Sequence, residues 1–92
     1  MAFGAISVGN TATKIVGSNS RRIALIIENN GAETIYIGKD DTVTSSTGVA
    51  VLSNGTFTQD SGGMRMYLGD FWGITASSTS DVRYWEMNND NS

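Results

Sequence analysis

Wherever this chain has a pattern, apolar and polar residues alternate with a period of two, and Gly or Asn interrupts the alternation at roughly ten-residue intervals. No window keeps the i, i+3, i+4, i+7 spacing of an amphipathic helix. Only a set of short strands joined by turns satisfies both observations. Strands are expected over residues 5–8, 12–16, 21–28, 33–38, 43–46, 49–52, 64–68, 72–76 and 81–87. The implied fold is all-β: a small antiparallel β-sandwich or barrel of about eight or nine short strands, with no substantial helix.

Segment 21–28 has the clearest pattern. Alternation sends Ile23, Leu25 and Ile27 to one face and Arg22, Ala24, Ile26 and Glu28 to the other. Apolar residues on both faces suggest a central strand covered on both sides. Asn29-Asn30-Gly31 offers the positive-φ residues of a tight turn, so 33–38 is expected to return antiparallel beside it. Asn54-Gly55, between Val51-Leu52 and Thr56-Phe57, is the cleanest two-residue hairpin signal. Residues 1–20 read as N-terminal strands or an arm, 21–87 as the sandwich core, and 88–92 as a polar tail expected to fray.

At 92 residues the chain has room for one core. A domain this short buries only about two-thirds of its unfolded surface, and such domains often need disulfides, metals or partner subunits. The chain contains no Cys and no His, which excludes disulfides, thiolate zinc sites and imidazole chemistry. Oligomerisation is the remaining support. There is also no proline to blunt an edge strand, so edges must be charged, covered or paired with other chains.

A net charge of −3 with only six basic residues argues against binding nucleic acid. The aliphatic run 23–27 is far shorter than the roughly 20 residues of a membrane span. The N-terminus lacks the basic and apolar regions of a signal peptide, so a soluble protein made in a cytoplasm is expected. No cofactor or metal is expected. Asp40-Asp41 with Thr42 and Thr44 could offer oxygen ligands to calcium, but the spaced acidic set ending in Glu is missing, and a solvated turn is the plainer reading. Asn54-Gly55-Thr56 matches a glycosylation sequon, yet turn geometry explains it.

Catalysis is not expected. A Ser or Thr nucleophile would have to use Lys14 or Lys39, and neither Ser-x-x-Lys nor Gly-x-Ser-x-Gly occurs. Asp60, Asp70 and Asp81 could supply an acid and a base, as glycoside hydrolysis requires, but nothing around them lines a cleft.

The candidate contact residues are Phe3, Ile6, Val8, Arg21, Arg22, Tyr36, Trp72 and Trp85. In Phe71-Trp72 and Tyr84-Trp85, alternation drives the two rings to opposite faces, and a small core accepts one of each pair. The other stands outside, where a large aromatic marks a protein interface more often than a sugar platform. Arg21 and Arg22 open a strand in an acidic chain. One is expected to pair with Asp81 or Glu86 in the same subunit and the other to reach a neighbour. The apolar start "MAFGAISVG" is either the first strand or an arm that adds to a neighbour's sheet.

Together, "RRIALIIENNG", "IYIG", "VTSSTGVAVLSNGTF" and "WGITASSTSDVRYWE" resemble the small β-sandwich virion proteins of tailed bacteriophages, over residues 21–86. The resemblance implies a capsid decoration or cement protein on the outside of a shell built by a different major capsid protein. It implies self-association, most often as a homotrimer near threefold positions, and location on the virion surface. A receptor- or glycan-binding domain of a head fibre or tail tip is the alternative.

Overall fold

The computed structural model describes residues 2–60 and 66–88, apart from the Ala2 side chain. Among them lie eight strands: β1 (Ala2–Val8), β2 (Thr13–Val16), β3 (Arg22–Asn29), β4 (Ile35–Gly38), β5 (Val49–Val51), β6 (Thr56–Asp60), β7 (Phe71–Thr75) and β8 (Ser80–Asn88). They form two antiparallel four-stranded sheets, ordered β1-β8-β3-β6 and β2-β7-β4-β5. The all-β antiparallel sandwich expected from the alternation is what the chain forms. Only β4 and β5 follow one another within a sheet, and every other succession changes sheet. This is the connectivity of a jelly roll.

The core lies between the sheets. Leu25 and Ile27 from β3 and Val82 from β8 are fully buried, as is Ile35 from β4, and Ile37, Val51 and Phe71 join them with little exposure. Each such side chain contributes about 1.5–3 kcal/mol by leaving water. β3 is central in its sheet, as expected, but only its inner face is covered by a second layer. Ile23, Ala24 and Ile26 remain half-buried on a sheet surface that no other described strand overlies.

Neither Asn-Gly turn makes the hairpin expected of it, because β3 and β4 lie in different sheets and so do β5 and β6. At the first turn the Asn29 side chain enters the core instead of standing over a reversal. It is wholly buried, its Nδ2 donating to the carbonyls of Glu33 (2.6 Å) and Val51 (2.9 Å). Its Oδ1 accepts from Ser80 Oγ (2.6 Å) and the Gly31 amide (3.2 Å). Gly31 is needed for close approach, since a Cβ there would stand 2.7 Å from the Asp81 amide nitrogen. At the second turn, Gly55 N donates to Leu52 O (2.7 Å) and Asn54 has a positive φ of 65°. Asn54 N then donates to Asn29 O (2.8 Å), and Asn29 N to Gly55 O (2.9 Å). Those bonds fasten the new strand to β3 rather than to β5.

Simple alternation also misplaces Arg22. The β3–β8 register pairs Arg22 with Asn88 and Ala24 with Met87, so Ile23 is the extra residue of a β-bulge. The bulge turns Arg22 to the core face, where it is 3% exposed. Its Nε donates to Glu86 Oε2 at 2.7 Å, Nη1 to the carbonyls of Tyr67 (3.0 Å) and Gly69 (3.2 Å), and Nη2 to that of Gly17 (2.8 Å). Phe71 lies under the guanidinium at 5.3 Å. Of the two carboxylates expected as arginine partners, Glu86 takes this place, while Asp81 is held by Arg83.

Other expectations shift. Residues 43–46 are a loop rather than a strand: Val43 is buried there, with its Cγ2 against Gly38 and Gly48. Of 64–68, residues 66–68 are irregular, and Met64 and Arg65 lie outside the described residues. Asn88 closes β8, and the remainder of the expected tail lies outside the described residues. Segment 1–20, separated above from the core, supplies an edge strand to each sheet through β1 and β2.

Candidate functional site

The outer face of the β1-β8-β3-β6 sheet carries two of the exposed large apolar side chains among the described residues, Phe3 and Trp85. Cross-strand register sets Phe3 opposite Trp85, Trp85 opposite Ile26, and Ile26 opposite Thr58. The next row on the same face runs Ala5, Arg83, Glu28, Thr56. Because successive residues of a strand point to opposite faces, these rows share the side away from the core. Phe3 is 78% exposed and Trp85 46% exposed. Phe3, Ala5, Ile26, Glu28, Arg83 and Trp85 line a shallow depression of about 550 Å³.

Its polar margin is electrically mixed. Arg83 Nη2 donates to Asp81 Oδ2 at 2.8 Å, and Arg83 Nε lies 3.2 Å from both Asp81 oxygens. Hydrogen bonds from Arg83, then from Asn30, hold the Asp81 carboxyl below its ordinary range. The same carboxylate, with a smaller contribution from Glu28, raises the Arg83 guanidinium above its ordinary value. The site is thus an apolar row beside a charge-balanced one, able to cover another apolar surface and to orient it with a fixed pair of charges.

The sequence candidates divide. Phe3 and Trp85 meet on this face. Trp72 and Tyr36 lie half-buried on the outside of the other sheet, where Trp72 carries Lys14 Nζ 5.6 Å from its ring centre. Arg21 is exposed, and its amide donates to Asn19 Oδ1 at 3.0 Å. Three expectations are corrected. Val8 is fully buried and Ile6 packs against the core, because alternation from exposed Phe3 carries even-numbered residues of β1 inward. Arg22 is sealed by the bulge and cannot meet a partner. Of the consecutive aromatics, Phe71 and Tyr84 take the inner positions.

Ile26, Glu28 and Arg83 complete the face but were not singled out from sequence. Alternation from Trp85 places Arg83 on its side, and alternation along β3 groups Ile26 with Glu28. Only the β3–β8 register brings the two pairs together. The expected solvated turn at Asp40 takes a definite form: its Oδ1 accepts from Thr42 N (3.0 Å) and Thr42 Oγ1 (2.5 Å). Those bonds lower its pKa. Asp70 engages Ser18 N (2.7 Å) and Lys14 Nζ (3.6 Å). Among the described residues, no three His, Cys, Asp or Glu side chains gather as metal ligands. No protein-family model matches the chain, and neither does any curated protein or solved structure.

Proposed function

We propose that this is a structural virion protein of a tailed bacteriophage, of the capsid decoration or cement type, attached to the outside of a shell made by a major capsid protein. The observation that carries this reading is the Phe3–Trp85–Ile26 row, an apolar strip exposed across three neighbouring strands. Strips of this kind mark surfaces that another protein covers. The resemblance of residues 21–86 to small phage sandwich proteins supports it. The jelly-roll connectivity is compatible but lends little, because the same architecture serves capsids, lectins and cupins. The role is mechanical: the protein holds neighbouring capsomers together and catalyses no reaction.

Electron microscopy of particles made with and without the protein tests the reading. Density on the outer surface is expected only when the protein is present, and its absence there sinks the proposal. Phe3→Ala and Trp85→Ala are expected to reduce particle occupancy. Phe3→Ala should change stability by no more than about 0.5 kcal/mol, and the half-buried Trp85→Ala should cost about 1–3 kcal/mol and leave the protein folded. Trp85 beside Arg83 and Glu28 also favours a second reading, a glycan-binding domain of a fibre or tail tip. Glycan binding lost in Trp85→Ala would select it.

A further inference from the structure

Four strands stand at sheet edges: β1 and β6 in one sheet, β2 and β5 in the other. Natural edges are usually short, charged or bulged, because an open row of N–H and C=O groups recruits other chains. Three edges follow that rule. β2 has four residues, carries Lys14 and is bulged between Lys14 and Val16. β5 has three residues. β6, with the sequence TFTQD, ends in exposed Asp60.

β1 has none of these devices. It runs for seven residues, AFGAISV, without a charge and in unbroken register with β8. Its outward side chains Phe3, Ala5 and Ser7 are exposed. Among the described residues, no strand pairs with its free edge.

We propose that two copies of this chain join through β1, edge to edge and antiparallel about a twofold axis, making one continuous sheet from the two β1-β8-β3-β6 sheets. β1 is complementary to its own reverse. Full overlap of Ala2–Val8 with a second copy puts Ala5 on the axis. Phe3 then faces Ser7 of the second copy, Gly4 faces Ile6, and Ala2 faces Val8. Every large side chain meets a small one, and no like charges are opposed. An isologous contact of this kind closes after two subunits, whereas joining β1 to a different edge would build rings or fibres. The pair also buries the open flank of Phe3 and gives a short chain more shared surface. It stands in place of the threefold arrangement implied by the resemblance, and it holds whether or not the protein belongs to a virion.

Light scattering across a concentration series is expected to give twice the chain mass. Ala5→Lys, which sets two ammonium groups opposite each other on the axis, is expected to give a monomer with unchanged circular dichroism. A wild-type monomer or trimer at every concentration, or an Ala5→Lys dimer, overturns the proposal. Register is tested by cysteine substitution, because the chain has no thiol of its own. Ala5→Cys is expected to cross-link on mild oxidation, since facing Cα atoms about 4.5–5.5 Å apart suit a disulfide. Phe3→Cys alone and Ser7→Cys alone are expected not to link, but to link when both are present in one chain or the two variants are mixed. Linkage through either of these alone, with none through Ala5→Cys, overturns it.

Discussion

Arg22 and Glu86 meet across adjacent strands at 2.7 Å, with side-chain exposures of 0% and 8%. The bulge at Ile23 brings them together on the core face. Three further neighbours, the carbonyls of Gly17, Tyr67 and Gly69, belong to loops that no ladder holds. The guanidinium therefore ties strand ends and loops at one end of the sandwich.

Removing one partner strands a buried charge, which costs about 3–5 kcal/mol. Arg22→Ala and Glu86→Ala are each expected to lose about that much in urea unfolding. The double variant should lose clearly less than the sum, and a double-mutant cycle with additive losses would contradict the coupling.

Asn29 does the corresponding work at the opposite end of β3, where its amide joins the 29–33 crossing, β5 and the start of β8. Asn29→Leu is expected to cost at least about 2 kcal/mol, because it orphans several buried groups worth about 1–3 kcal/mol each. Ser80→Ala, which breaks one of those bonds, should cost less. Chemical denaturation measures both.

The two turn glycines and their asparagines respond differently. Gly31→Ala is expected to lose about 1–3 kcal/mol through steric conflict with the Asp81 backbone. Asn54 holds a φ of 65°, so Asn54→Ala should lose about 1 kcal/mol, and Asn54→Gly should match or exceed the parent. Melting temperatures across the three variants check this order.

Acid acts through Asp81. Its pKa is lower folded than its ordinary value of 3.8, so its contribution is complete above that pH and is lost as pH falls through the folded value. Stability is expected to drop more steeply below about pH 3.8 in the parent than in Asp81→Asn. Identical slopes in pH-dependent unfolding would remove the carboxylate from this role.

The strands were legible in sequence because a half-buried strand must alternate, as Ile35-Tyr36-Ile37 and Phe71-Trp72-Gly73 do. Their partners were not. Asn-Gly reports a residue able to take positive φ or to admit a close neighbour, and that requirement is the same in a hairpin and in a crossing between sheets. Arg22 was misplaced because one inserted residue reverses every face assignment before it, and Ile23 gives no local sign of being extra. At the candidate site, the splitting of Tyr84 from Trp85 followed from alternation alone. The meeting of Trp85 with Ile26 needed a register set by contacts distant in sequence.

The place of β8 in its sheet has a consequence for how the protein is born. β8 is the last strand of the sandwich to be synthesised, yet it lies between β1 and β3. Until Ser80–Asn88 emerges from the ribosome, the first strand has no neighbour to pair with and Leu25 and Ile27 lack one wall of their enclosure. The β1-β8-β3-β6 sheet can therefore close only once β8 is available, by long-range pairings that form slowly. In that interval the uncharged segment Ala2–Val8 is unguarded, so crowded nascent chains are most exposed to mispairing before β8 arrives.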